Sequence, residues 1–326
     1  MSASTADRFG PTRLKSDLST MPPIFGVLLI VLIVAWGLIL ATGGNLNLTN
    51  TLVRSVALGI VAVGQTFVIL GGSLDLSVAY QVSVTAVAAS VWMDGDPNRI
   101  WLAVPLVLLL GAGIGLINGL IITGLHVNAF IATLGTSLIL RGLLNAAFDN
   151  YAGEVPVQFR KLGYDALGPV PFSVILLLAI VVAGWYVLRF TRFGHHLFAV
   201  GADAETARLS GVHSDRVIVG AHIVCSLTAV LTGLFIVSRL SAGAPWVGTD
   251  GNYDLESIAA VVLGGTALAG GRGGVPGTFA GVLILALLDN AFNELGINAF
   301  IKDIVRGVII ISAVAVYALR RRGLAR

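Results

Sequence analysis

Charge is what this sequence has least of. Asp, Glu, Lys and Arg together make up 11% of 326 residues, while 56% are hydrophobic. Soluble domains carry roughly 25% charged residues, so a water-soluble fold is excluded and the chain reads as an all-α integral membrane protein. Cysteine is almost missing as well. Cys225 stands alone, which rules out an intrachain disulfide, and its apolar setting makes it buried filler. The net charge of +3 is too small for nucleic-acid binding to be the default reading. Reactive constellations are equally scarce. Neither an HExxH motif nor a Ser/His/Asp arrangement is visible, which argues against an intramembrane enzyme. His195-His196 lacks Cys or acidic neighbours at ligand spacing, so no metal site is expected. The glycine-rich runs have no Lys-Ser/Thr after them, so neither is a phosphate loop. Leu209-Ser210-Gly211 echoes an ATPase signature only by coincidence, and this chain should hydrolyse no ATP by itself. Mid-span carboxylates are nearly absent too, which counts against a gradient-driven transporter.

What remains is a succession of apolar runs. At about 20 residues per crossing, they predict about ten spans: Ile24–Leu40, Thr51–Leu70, Leu76–Trp92, Ile100–Leu125, Ala129–Phe148, Phe172–Phe190, Val217–Leu240, Leu255–Leu268, Thr278–Phe292 and Ala299–Leu319. A polar tail (1–20) precedes a single membrane domain (21–326). The first apolar run has no small-residue cleavage site, so it reads as an uncleaved anchor. Positive charge gathers on one side, at Arg8, Arg13, Lys15, Arg192, Arg208, Arg216, Arg272 and Arg320-Arg321-Arg322. The opposite loops hold Arg99, Arg160 and Lys161 among many acids. The positive side is cytoplasmic, which places both termini and the connector 192–216 there. Asn-Ala-Phe-Ile occurs at Asn128–Ile131 and again at Asn298–Ile301, as an inverted repeat of spans two to five and seven to ten would produce.

The connector 192–216 carries its own helix signals: Asp203 to cap, Glu205 in the first turn and Gly211 to stop. Glu205 and Arg208 can pair, while Ala204 and Ala207 leave a small-residue face. A helix this short is marginal alone in water, so something should pack on it. Span four carries Gly111, Gly115, Gly119 and Thr123 along one face, a close-packing ladder for which internal packing is favoured over a subunit contact. The interruptions Gly71–Ser77 and Gly264–Gly277 are either half-helix breaks beside a pathway or tight turns. Gly71, Gly72, Asp75, Ser77, Gly264, Gly265 and Thr266 are the candidate pathway or gate residues. Asp75 is either a helix cap or a polar pathway group. Arg141, deep in span five, is the leading candidate for a structural or pathway charge; His126, His213 and His222 suggest no site. Asp289 and Glu294 lie where Lys302 and Arg306 can pair with them.

Three stretches resemble the permease subunits of ribose-type ABC importers. Gly71–Val78 is similar to that family's GGIDLSVG, with Leu74 for Ile. Ala199–Val212 is similar to AVGGNPEAARLSGI, with Ala202-Asp203 for Gly-Asn. Gly264–Gly273 through Gly277-Thr278 is similar to GGTSLSGGRGSVxGT. Thr133–Thr136 followed by Arg141-Gly142 adds to the likeness, which runs from about the second to the tenth helix. It implies a ten-helix permease of the cytoplasmic (inner) membrane, paired with a second copy or paralogue and binding no cofactor of its own. Two cytoplasmic ATPase domains, sometimes one tandem polypeptide, would carry ATP and Mg and dock on the coupling helix, Ala202 to Gly211. Gly201, Glu205, Thr206 and Arg208 would serve that contact, with Ala204, Ala207 and Leu209 filling an apolar floor. An extracytoplasmic sugar-binding protein would deliver a monosaccharide; a sugar alcohol, a nucleoside or a furanosyl signal molecule are the alternatives.

Overall fold

The structure is a computed structural model. It describes residues 48–298 and positions 33, 37, 300–302, 304, 305, 307, 308 and 311. The polar tail, most of the first and tenth expected spans, Arg306 and the C-terminal arginines lie outside the described residues.

Among the described residues the chain forms twelve α-helices and one short hairpin. They are α1 (Leu48–Leu70), α2 (Val78–Met93), α3 (Ile100–Gly124), α4 (Ala129–Ala147), α5 (Val157–Tyr164), α6 (Phe172–Phe190), α7 (Arg192–Ala202), α8 (Ala204–Leu209), α9 (Ser214–Leu240), α10 (Val247–Asp250), α11 (Tyr253–Leu263) and α12 (Val275–Glu294). The hairpin pairs β1 (Ala166–Leu167) with β2 (Val170–Pro171). Among the described residues six segments are long and apolar enough to cross a membrane: α1, Pro97–Gly124, α4, α6, α9 and α12.

The molecule is built around α1 and α9. In the most apolar stretch of α1, 83% of residues are buried inside the chain, against 22% for Pro97–Gly124, 28% for α4 and 33% for α6. The first therefore faces protein on nearly all sides, and the others turn most of their surface outward. Among the described residues the most extensive helix contacts are those of α9 with α3, α1 and α2. Small residues permit this, because between lipid-facing helices close backbone approach supplies the packing energy. A Cβ added to Gly115 would lie 2.6 Å from the His222 carbonyl oxygen, and one on Gly119 would lie 2.7 Å from Val219 Cα. On Gly111 it would meet Val230 Cγ2 at 2.1 Å. The ladder of α3 thus lies against α9.

Two elements differ from their sequence expectation in length. The eighth span, expected over Leu255–Leu268, is helical only over the 11 residues of α11, about 17 Å at 1.5 Å per residue. It stops where Gly264 abuts Gly277, whose carbonyl oxygen would be 2.4 Å from an added Cβ, and where Gly265 turns left-handed at φ +88°. The connector, expected to hold one helix, holds two. Arg192–Ala202 is itself helical because Thr191 caps it, its hydroxyl accepting from Gly194 N–H at 3.2 Å. Asp203, extended at φ −162°, ends α7 and starts α8. The polar segment 149–171 contains α5 and the hairpin, and the Tyr164 hydroxyl donates to the Arg239 carbonyl at 2.8 Å.

Candidate functional site: a coupling hairpin on a glycine junction

The three motif stretches, far apart in sequence, meet at one point. Gly271 N–H donates to the Leu70 carbonyl at 2.9 Å, joining the turn after α11 to the end of α1. Gly201, in the last turn of α7, fits against both. A Cβ there would lie 1.7 Å from Leu70 O and 2.7 Å from Gly271 N, and backbone atoms cannot move aside as a flexible side chain can. Gly270, at φ +85°, approaches Gly201 O in turn. Behind the junction, Leu197 and Val200 of α7 are buried in one cluster with Phe67, Val68 and Leu70 of α1 and Val217 and Ala221 of α9. The hairpin is therefore rooted in the membrane domain by apolar burial and located by backbone contact.

The tip is different. Within α8 only Ala207 is buried; Ala204, Glu205, Thr206, Arg208 and Leu209 are exposed, Leu209 to 80%. Asp203 Oδ1 accepts from Thr206 N–H at 2.9 Å, and that bond holds the Asp203 carboxyl below its ordinary pKa. At the other end Gly211 is left-handed at φ +84°. Val212 N–H donates to the Ala207 carbonyl at 3.0 Å, closing the helix as a Schellman motif does. Arg208 reaches Glu205 at 2.8 Å. A six-residue helix so closed at both ends presents a fixed charged pair beside an uncovered leucine.

Beneath the junction, the loop 71–77 opens a buried polar chain. Ser73 Oγ lies 2.9 Å from His222 Nε2 and Asp75 Oδ2 lies 3.3 Å from His222 Nδ1. All groups are satisfied when Nδ1–H donates to Asp75 and the Ser73 hydroxyl donates to Nε2. Asp75 Oδ1 also accepts from Ser77 N–H at 2.9 Å and from its hydroxyl. Ser77 Oγ accepts from Gln81 Nε2 at 2.7 Å and Asn118 Nδ2 at 2.9 Å, and Asn118 Oδ1 accepts from Thr136 at 2.6 Å. Thr133 Oγ1 accepts from Leu76 N–H at 3.1 Å. The chain links the loop, α2, α3, α4 and α9 and explains how irregular backbone persists here: its polar groups are paired inside protein.

Of the candidate residues, Gly71, Gly72, Asp75 and Ser77 sit in this loop, with Gly72 at φ +78°. Gly264, Gly265 and Thr266 form the facing turn, where Thr266 Oγ1 accepts from Gly274 N–H at 3.2 Å. Arg141 is separate from both and lines a cavity beyond α2 with Asp149. His222, to which the sequence assigned no site, is the hub of the polar chain. The expectation of no Ser/His/Asp arrangement is corrected in its geometry. Ser73, His222 and Asp75 do stand in line, brought together from 149 residues apart. With relative exposures of 6%, 0% and 0%, they are sealed from any substrate and act as a structural tie. Cys225 is likewise more than filler, its thiol donating to Gln65 Oε1 at 3.4 Å. Amides inside apolar helices, Gln81 and Asn118, were the available signal for this chain; reading only charges passed them over.

Residues 47–314 match the family described as branched-chain amino acid transport system / permease component. Among curated proteins the chain is 39% identical to the ribose import permease protein RbsC of Escherichia coli over 279 residues, 83% of this chain and 85% of the relative. It is 38% identical to RbsC of Bacillus subtilis, covering 91% and 92% of the two chains. The galactose/methyl galactoside import permease protein MglC of Haemophilus influenzae is 33% identical, with 93% and 96% covered. No solved structure matches the chain. A multi-pass helical architecture, three motifs that meet in space and a match running the length of the described helices agree: the chain belongs to the branched-chain amino acid transport system / permease component family.

Proposed function

We propose that this chain is the translocating subunit of an ATP-driven, binding-protein-dependent ABC importer that moves a monosaccharide or similar small polyol inward across the cytoplasmic membrane. The observation that carries the proposal is the hairpin of α7 and α8. Its root is wedged by Gly201 against Leu70 and Gly271, while its tip exposes Glu205, Arg208 and Leu209. A partner that grips the tip moves the ends of α1 and of the α11–α12 turn together, because the backbones in contact cannot slip past one another. ATP hydrolysis on two separate ATPase domains would thus become rigid-body displacement. A monosaccharide is favoured by the names of the relatives, ribose and galactose permeases. A nucleoside or a furanosyl signal molecule is the runner-up substrate.

The same reading includes ten helices, both termini in the cytoplasm, a second copy or paralogue, and an extracytoplasmic binding protein. An inverted repeat is supported by two features. Asn128 Oδ1 accepts from Phe130 N–H at 2.9 Å and Asn298 Oδ1 accepts from Phe300 N–H at 3.0 Å, so both Asn-Ala-Phe-Ile copies start a helix with the same cap. In each half a long helix, α1 or α9, is followed by a break (in the second half one that holds the single turn α10) and then a shorter apolar helix, α2 or α11.

The test is Glu205→Lys in the assembled transporter. Energised uptake should be lost while the protein still inserts and fractionates with the membrane. Wild-type uptake that persists after the ATPase partner is deleted would overturn the proposal.

A further inference from the structure

The geometry points to a transit site for a neutral sugar in the cavity lined by Tyr80, Arg141, Asn145, Asp149, Trp246 and Thr249. This rests on the importer reading and adds to it where the cargo is held within the membrane domain.

The cavity measures about 390 Å³, inside the ~300–1,000 Å³ range of small-molecule sites. It forms where three elements converge. Tyr80 belongs to the first turn of α2. Arg141 and Asn145 stand one turn apart on α4, with Asp149 just past its end. Trp246 and Thr249 come from the cap and the body of the short helix α10, between α9 and α11. That helix reaches into the domain: Gly248 N–H donates to Ser83 Oγ at 3.0 Å, and a Cβ on Gly248 would lie 1.7 Å from Ala79 O. At 1.5 Å per residue, Tyr80 lies ~20 Å from the Met93 end of α2 and Arg141 ~9 Å from the Ala147 end of α4, so the cavity lies inside the length of the membrane-crossing helix α4.

A charge at that depth is costly and either finds a partner or faces water. Among the described residues, Arg141 and Asp149 have neither an ion-pair partner nor a side-chain hydrogen bond. They share the cavity without meeting within the 4 Å of a salt bridge. A cationic donor fork and an anionic acceptor held apart cancel in net charge, which disfavours an ionic cargo. They suit hydroxyl groups, which accept from a guanidinium and donate to a carboxylate. Asn145 and Thr249 add groups of both kinds. Trp246 is oriented by an edge contact with Tyr151 at 5.3 Å, and with Tyr80 it offers ring surface to the C–H face of a sugar. The long, unpaired Arg141 side chain and the partly open setting make this a place of weak, multi-contact holding, as a release step needs.

Full-length protein in nanodiscs, carrying Asn145→Cys, is treated with a hydrophilic maleimide in the presence of D-ribose, D-galactose, glycine betaine or inorganic phosphate. Cys225 is fully buried and gives a low background. Either sugar should slow labelling severalfold, and betaine and phosphate should not. In the reconstituted transporter, Arg141→Gln should lower kcat/KM for uptake by about tenfold or more, the effect of one charge-assisted hydrogen bond. Arg141→Lys, which keeps the charge without the fork, should fall between. Should Arg141→Gln fail to insert, Asp149→Asn and Thr249→Val read the same site from other elements. Protection by phosphate alone would make this an anion site and overturn the inference. So would absence of sugar protection, or unchanged uptake in all these variants. Failure of the importer reading itself would show separately, as wild-type ATPase activity that a sugar-loaded binding protein does not stimulate.

Discussion

Two polar regions lie within this membrane domain, and they are built on opposite terms. The chain from Ser73 through His222, Asp75, Ser77 and Asn118 to Thr136 is closed: all but the half-buried Thr136 are buried, and successive members are hydrogen-bonded to one another. The cavity around Arg141 and Asp149 is open, with charged groups that meet no protein partner among the described residues. Satisfied polar atoms at membrane depth hold backbone in place. Unsatisfied ones wait for water or cargo. The difference teaches which of two equally polar stretches is framework and which is passage.

The largest effect should come from breaking the closed chain. His222→Ala removes the partner of a fully buried Asp75 and should destabilise by about 3–5 kcal/mol, read as a drop in Tm of the detergent-solubilised protein. Replacing both Asp75 and His222 by leucine should recover part of that loss, because no polar group is then stranded. Equal losses in the single and double variants would mean that the pair is not coupled.

Gly201→Ala comes next. Overpacking against immobile backbone costs about 1–3 kcal/mol, and the hairpin root should shift away from Leu70 and Gly271. The measurement is energised uptake beside Tm; uptake should fall further than the loss of folded protein explains.

Acid should act on the hairpin tip. The carboxyl of Asp203 is depressed by the Thr206 N–H bond, so its contribution to α8 is complete above its ordinary, unfolded-state pKa. That contribution is lost as pH falls through the lower, folded value. Amide exchange at Thr206, measured against pH, should show it, and Asp203→Asn should flatten the curve.

The smallest stability effect belongs to the open region. Arg141→Gln should change Tm little, as surface substitutions away from packed features stay within about 0.5 kcal/mol, although uptake falls. A large Tm drop would mean that Arg141 is framework after all.

Hydropathy was enough to delimit α1, α3, α4, α6, α9 and α12, because a crossing helix must satisfy a length and a polarity that any window of sequence displays. The cap and stop of α8 were legible for a similar reason: Asp203 acts on Thr206 three residues on, and Gly211 on the turn just before it. The ends of α11 were not, since Gly264 stops it by contact with Gly277, a neighbour only after folding. Nor could the run Arg192–Ala202 be read as helix from its polar flanks. Its helical face, Leu197 and Val200, has value only against α1 and α9.

The sequence alone therefore determined a membrane-embedded helical chain, its polar connector and the three motif stretches. Each depends on composition or on residues a few positions apart. Tertiary structure decided that these stretches share one glycine junction, that His222 completes a chain begun at Ser73, and that Arg141 and Asp149 line one cavity with Tyr80 of α2 and Trp246. Those facts rest on backbone approach and on pairings made across the fold, for which neighbouring residues along the chain carry no record.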